Sequence, residues 1–228
     1  MRLAVIPARG ASKRIPRKNI RLFCGQPIIS WSIAAALNSS CFDRVIVSTD
    51  DPEISEVAKA HGAEVPFVRP LELSDDYTGT IPVIAHAIDW QNANGEVVSE
   101  ACCIYATAPF IRVEDLQLGL QAIQESSVDY AFSVTNYASP IQRALKITPT
   151  KRVSMFLPEY FAIRSQDLEG AWHDAAQFYW GKADAWLTGV PIFSESAKPI
   201  ILPRHRVQDI DTLDDWALAE IMFKCLNF

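Results

Sequence analysis

Apolar runs alternate with helical periods through residues 1–135. Runs at 2–7, 43–48, 63–68, 101–106 and 128–134 predict strands, and apolar positions at helical spacing predict helices near 27–38, 52–61, 80–93 and 113–125. Pro27, Pro52 and Pro82 fall in first turns, where a missing N–H costs little. Strands without polar alternation belong to a parallel sheet covered on both faces. The pattern therefore predicts an α/β fold: a doubly wound, mostly parallel sheet with right-handed crossovers. Regularity is expected to break over 136–180, which carries Pro140, Pro149, Pro158 and the aromatics Tyr137, Phe156, Tyr160, Phe161, Trp172, Phe178, Tyr179 and Trp180. That stretch reads as a small irregular or β excursion, a lid or a dimerisation contact, within one domain over 1–228. A helix near 212–226 closes the chain, with Asp211-Thr212 as its cap and Asp214-Asp215 in its first turn.

Composition narrows the class. A chain of 228 residues, 49% hydrophobic and 21% charged, can bury a full core. The net charge of -6 argues against a nucleic-acid partner, which needs a broad basic face. No run approaches the roughly 20 apolar residues that span a bilayer, so no membrane partner is expected. The N-terminal run is too short for a signal peptide. Five cysteines, at 24, 41, 102, 103 and 225, have neither CxxC nor zinc spacing, which suits a reducing cytoplasm. Cys102 and Cys103, adjacent on a strand, should point to opposite faces as small buried residues.

Against this acidic balance stands one cationic loop, Ile6-Pro7-Ala8-Arg9-Gly10-Ala11-Ser12-Lys13-Arg14-Ile15-Pro16-Arg17-Lys18-Asn19, with Arg21 just beyond. Concentrated cations point to a polyanionic ligand, and the small residues at 8, 10, 11 and 12 suit close approach of backbone N–H groups to phosphate. A solvated basic loop is the plainer reading, but Pro7 and Pro16 favour a shaped site. No Walker A or dinucleotide fingerprint is present. Far along the chain, Gln208-Asp209-Ile210-Asp211-Thr212 places two carboxylates two apart. In an extended segment they share a side and can hold a hard cation, or they can simply cap the helix.

The first loop resembles the nucleotide-binding loop, approximately IPARGGSKxxPxKN, of the cytidylyltransferases that activate nine- and eight-carbon sugar acids. The departure is Ala11 for glycine. The resemblance implies a Rossmann-like nucleotidyltransferase fold, CTP as one substrate and a nonulosonic sugar acid as the other. By the same resemblance, Ala8, Arg9, Gly10, Ser12, Lys13 and Asn19 belong to the nucleotide site. Arg69, before Pro70, and the loop holding Thr78 and Thr80 are its base and ribose contacts, although a turn and helix cap explain them equally well. Asp209 and Asp211 would hold Mg²⁺, and Arg9, Lys13 and Lys18 with that pair form the expected catalytic set.

The later segments, YATAPF, SPIQRA, RSQDL, HDAAQFYWG and RVQDIDT, resemble the branch of the family that acts on pseudaminic acid. Tyr105 stands where the sialic acid enzymes carry glutamine. Tyr105, Arg143, Arg164, Gln166, Gln177 and Tyr179 are the expected sugar contacts, with Arg164, then Arg143, for the sugar carboxylate. The aromatics at 178–180 read more simply as core or dimer packing. His173 beside Asp174 reads as structural rather than as a base, and His61, His86 and His205 show no ligand spacing. Arg204 and Arg206 read as phosphate ligands or as surface charges.

The resemblance implies transfer of CMP from CTP to the anomeric hydroxyl of the sugar acid, with pyrophosphate released, by a homodimer. Activation of sialic or legionaminic acid, a GT-A-type glycosyltransferase and a nucleotide-binding regulatory module remain alternatives at this point.

Overall fold

The computed structural model describes residues 1–226. In chain order the elements are β1 (Arg2–Pro7), a short hairpin of β2 (Leu22–Phe23) and β3 (Gln26–Pro27), α1 (Ile28–Asn38), β4 (Arg44–Ser48), α2 (Pro52–Ala60), α3 (Thr80–Ala93), β5 (Glu100–Ile104), α4 (Val113–Ile123) and β6 (Tyr130–Asn136). There follow a second hairpin of β7 (Leu145–Ile147) and β8 (Val153–Met155), then β9 (Trp172–Lys182), α5 (Ala183–Thr188), β10 (Ala197–Ile201) and α6 (Leu213–Cys225). Six strands form one sheet in the order β10-β6-β9-β5-β1-β4. All run parallel except β9, which lies antiparallel between β5 and β6.

The alternation of side chains decides the layers. On β1, Ala4 and Ile6 pack with α1, α2 and α4 on one face, while Leu3 and Val5 pack with α3 and α5 on the other. Cys102 and Cys103 divide between the same two clusters, as their adjacency on a strand requires. A third cluster lies outside the sandwich. In it Trp216, Ala219 and Phe223 of α6 cover Phe23 of the first hairpin together with Ile15, Phe110 and Ile210. Thr212 caps α6: its hydroxyl accepts from the Asp215 N–H at 3.2 Å, and the Asp215 carboxylate accepts from the Thr212 N–H at 2.8 Å.

Two sequence expectations need correction, and the last two residues of the expected domain, 227–228, lie outside the described residues. The 63–68 run is not a strand, for only Glu64 bridges to Ile46. Pro66 has no N–H to continue the ladder. The irregular stretch expected over 136–180 ends at 171, because β9 is a central strand and its Phe178, Tyr179 and Trp180 are core residues. Its alternation is broken by a bulge: Val134 faces Asp174 whereas Phe132 faces Tyr179.

Gly181 on β9 marks how tightly this strand is packed. A Cβ there would lie 2.7 Å from both Trp186 Cε2 and Tyr130 Cε1. Gly181→Ala should destabilise the fold by about 1–3 kcal/mol through overpacking. Urea unfolding checks this, the expected result being a lower midpoint at unchanged m-value.

Candidate active site

The cationic loop leaves the carboxyl end of β1 and is fixed by contacts from every side. The Ala8 N–H donates to the Ser48 carbonyl, and the Gly10 N–H donates to the Asp50 carboxylate, each at 2.9 Å. A Cβ at position 10 would stand 3.0 Å from Asp51 Cβ and closer still to its carboxylate, so the approach of Asp51 demands glycine. The left-handed position in the loop is Arg17, at φ 57°, and not Ala11, so the departure from glycine at 11 carries no backbone strain. Arg17 is held there by Asp51 and Glu53. Its hydrogen bond to Asp51 raises the guanidinium pKa and lowers that of the Asp51 carboxyl. Ile15 is fully buried in the α6 cluster, and Asn19 Nδ2 donates to the Arg9 carbonyl at 3.0 Å.

These bonds correct one expectation. The amides of Ala8 and Gly10 are already engaged within the protein, so the loop offers anions its side-chain cations rather than a nest of those N–H groups.

A cleft of about 610 Å³ opens between this loop and residues 69–80. Arg9, Ser12, Lys13, Lys18 and Asn19 line one wall, with Arg69, Thr78, Thr80 and Tyr105 lining the other. Across it, Arg9 Nη1 lies 2.8 Å from Asp76 Oδ1, Lys13 pairs with the same carboxylate, and Arg9 also donates to the Asp75 carbonyl. The bond from Lys13 holds the Asp76 carboxyl below its usual range. Asp75 shapes the loop by accepting from the Tyr77 N–H at 2.9 Å and from the Thr78 N–H and hydroxyl, both at 2.7 Å. Arg69 is only 4% exposed, and its Nε and Nη2 have no partner. Burial lowers its pKa, and an unpaired guanidinium edge calls for an acceptor.

The acidic segment meets the loop at the cleft's cationic end. Lys18 Nζ donates to the Ile210 carbonyl at 2.7 Å and lies 3.5 Å from Asp211 Oδ1, while Arg14 Nη1 is 2.7 Å from Asp211 Oδ2. Asp209 is exposed at the surface, yet partial desolvation and then the charge of Asp211 raise its pKa. Two neighbouring carboxylates, one of them destabilised as an anion, suit a hard divalent cation. Among the described residues no group of three His, Cys, Asp or Glu side chains forms a metal cage. The pair would thus supply two oxygens to a divalent cation and leave its remaining positions to other ligands.

The expected sugar contacts separate. Tyr105 lines the cleft, and Tyr179 lies behind it, their ring centroids 5.3 Å apart. Gln177 is buried and donates to the Arg206 carbonyl at 2.7 Å, away from the cleft lining. Arg143, Arg164 and Gln166 sit on the 137–171 excursion, outside the cleft. Arg143 donates to the Ile163 carbonyl at 2.7 Å, and Arg164 makes a two-pronged pair with Asp167. His173 contacts the Asp174 carbonyl through Nδ1 at 2.8 Å, in keeping with its structural reading.

Arg206 was expected at a phosphate or on the surface; it is neither. It is 7% exposed and forms a two-pronged pair with buried Asp115, at 2.6 and 3.0 Å, that anchors the turn before the acidic segment. The partner lies 91 residues away on α4, so no local pattern announces it. Asp50, Asp51 and Asp76, which order the loop and its cations, were likewise missed. Their positions just after β4 and within Ser74–Thr80 were the available signal.

Residues 3–155 match the sequence model of the cytidylyltransferase family. The chain belongs to that family and is a nucleotidyltransferase. It is 44% identical over 222 residues to a pseudaminic acid cytidylyltransferase of Campylobacter jejuni, covering 97% of this chain and 96% of the relative. It is 33% identical to a CMP-N,N'-diacetyllegionaminic acid synthase of Legionella pneumophila, covering 96% and 94%. The solved structure of a CMP:2-keto-3-deoxy-manno-octonic acid synthetase complexed with CTP superposes with a TM-score of 0.70 over 99% of this chain and 98% of that one, at 16% identity. This last likeness establishes the fold.

Asp76 pairs with both Arg9 and Lys13, so an anion bound in this cleft would compete with it for them. Asp76→Asn should lower KM for CTP several-fold with little change in kcat, as initial rates across a CTP series would register. An unchanged or higher KM would mean that the pairing does not compete with the nucleotide.

Proposed function

We propose that this protein transfers CMP from CTP to the anomeric hydroxyl of pseudaminic acid and releases pyrophosphate, with Mg²⁺ as its metal. The observation that carries the reading is the meeting of Lys18 with Asp211 at 3.5 Å, beside a cleft walled by Arg9, Lys13 and Arg69. The choice among sugar acids rests on 44% identity along nearly the whole chain to an enzyme named for pseudaminic acid, against 33% to one named for a legionaminic acid.

In this reaction the anomeric oxygen forms a bond to the α-phosphorus as the bond to the bridging oxygen breaks. The hydroxyl loses its proton, and pyrophosphate leaves with the bonding electrons. Such a step asks a protein for position and charge more than for covalent chemistry. Arg9 and Lys13 exchange Asp76 for the triphosphate, and Ser12 and Asn19 border it. Lys18, fixed by the Ile210 carbonyl, directs its charge to the α-phosphate. Arg69 offers its unpaired edge to the nucleotide, beside Thr78 and Thr80. Asp209 and Asp211 would hold Mg²⁺, which supplies charge neutralisation and orients the phosphates when bound.

The sugar carboxylate is assigned to Arg164 and Arg143, which reach a cleft only when the excursion closes or docks. That excursion exposes Ile147, Val153, Phe156 and Phe161, an apolar set that favours contact with a second copy of the chain. The reading is thus a homodimer acting in the cytoplasm, where CTP is made. Among the described residues no helix is long and apolar enough to cross a membrane.

A pyrophosphate-release assay with CTP, Mg²⁺ and a panel of pseudaminic, legionaminic and sialic acids tests the substrate, the highest kcat/KM being expected for pseudaminic acid. Lys18→Ala should cut kcat on the order of 100-fold while CTP binding changes little. Equal loss of binding at unchanged kcat would remove its transition-state role. Asp211→Ala should abolish Mg²⁺-dependent turnover while the protein stays folded, and full activity would refute the metal assignment.

A further inference from the structure

Three polar side chains are buried between the cleft wall and the acidic segment. Gln177, Asp115 and Arg206 are 2%, 5% and 7% exposed, and they come from β9, α4 and the turn at Arg204–Arg206. Hydrogen bonds join them into one series. The Tyr105 N–H donates to the Gln177 carbonyl at 2.9 Å, and Gln177 Nε2 donates to the Arg206 carbonyl at 2.7 Å. Arg206 Nη1 and Nη2 then donate to the two oxygens of Asp115, at 2.6 and 3.0 Å. Every donor here is an N–H and every acceptor a carbonyl or carboxylate, so the atoms themselves fix each direction.

The series ends on both sides of the site. Tyr105 lines the cleft, and Arg206 stands three residues before Asp209 and five before Asp211. Residues 207–211 belong to neither helix nor strand, so no regular ladder places them. Their far end is held by Ile210, which is fully buried, and by the Asp215 carboxylate, which accepts from the Asp211 and Thr212 N–H groups at 3.1 and 2.8 Å. Their near end is Arg206, gripped through its side chain by α4 and through its carbonyl by β9. So short a segment has little slack, and a shift at Arg206 is carried to the two aspartates.

Stability alone does not call for this set. Burying an ion pair costs desolvation that roughly offsets its attraction, and apolar side chains of similar volume serve a core as well or better. Gln177 adds to that cost, because its Oε1 is buried with no partner among the described residues. What apolar groups lack is direction. The two-pronged guanidinium and the amide specify orientation as well as contact.

We propose that Gln177 and Arg206 are positioning residues which, with Asp115, hold Asp209 and Asp211 in register with the Tyr105 wall of the cleft. The inference rests on the cytidylyl-transfer reading of the cleft, with the acidic pair as its cation site. It gives Gln177 a role other than the sugar contact expected from the sequence.

The test removes the hydrogen bonds and keeps the volume. Gln177→Met deletes the amide, and Arg206→Met with Asp115→Leu replaces the ion pair as a unit, since either change alone strands a buried charge. Urea unfolding should place the midpoint of Gln177→Met near that of the parent. Its kcat should nevertheless fall about tenfold, with KM for CTP and for the sugar acid each changed less than about twofold. The Mg²⁺ concentration for half-activity should rise several-fold. Mn²⁺ titrated into the protein without substrates, and followed by loss of its free-ion EPR signal, should bind more weakly by a similar factor. The paired apolar variant should show the same signature, and adding Gln177→Met to it should change little further, as expected of residues acting on one segment. Should the paired variant fail to fold by circular dichroism, Gln177→Met carries the comparison.

A folded Gln177→Met with the kcat and Mn²⁺ affinity of the parent overturns the inference. So does a rise confined to KM for the sugar acid, which would return Gln177 to direct substrate contact. A parent that releases no pyrophosphate from CTP with any sugar acid would sink the reading of the cleft instead, and the Mn²⁺ titration would still decide on the positioning role.

Discussion

The contact on which the site depends is apolar. Ile15, in the middle of a cationic loop, and Ile210, between two aspartates, are both fully buried against Trp216, Ala219 and Phe223 of α6. Without that burial, Lys18 and Asp211 would be held together only by an ion pair at 3.5 Å, partly open to water, and such pairs contribute little alone. Burying an isoleucine contributes about 1.5–3 kcal/mol, so two of them outweigh the pair they carry. The hydrophobic anchors set the geometry, and the charges use it. The buried Arg206–Asp115 pair fixes the approach of the same segment from the other side.

Electrostatics within the cleft are arranged for exchange. Arg9 and Lys13 share Asp76, and Lys18 and Arg14 share Asp211. Each cation thus has a carboxylate partner in the free protein. Arg69 differs, since burial leaves two of its nitrogens without any partner. An anion entering the cleft would displace the first kind of contact at small net cost and complete the second at a gain, because an unpaired buried donor is the more expensive state.

What was legible in the sequence was local. β1 and the loop after it, α1 to α4 and the capped α6 follow from runs, periods and caps within a few residues of one another. Lys13, Lys18 and Asp211 stood out because charge contrasts with its neighbours. What escaped was written across long separations or against the regular period. The partner of Arg206 is on α4, the role of Asp76 depends on a cation more than sixty residues earlier, and β9 hides its strand period behind a bulge at Ala176. Its aromatics signalled burial correctly, but a broken alternation does not say which side chains share a face.

The single antiparallel strand explains why the excursion lies where it does. In parallel α/β sheets ligands bind at the carboxyl ends of the strands, and here Pro7 of β1 and Thr107 just beyond β5 border the cleft at that end. β6 ends at Asn136 on the same side. A strand that followed it in parallel would have to begin at the opposite end of the sheet. β9 instead pairs antiparallel, with Trp172 beside Asn136, so residues 137–171 leave and return at the ligand-binding end. The excursion is thereby tethered to the rim of the cleft at both of its ends. Insertion of β9 between β5 and β6 also carries Tyr179 behind the cleft wall, against Tyr105. One reversal of strand direction therefore joins the wall of the site to the excursion at its rim.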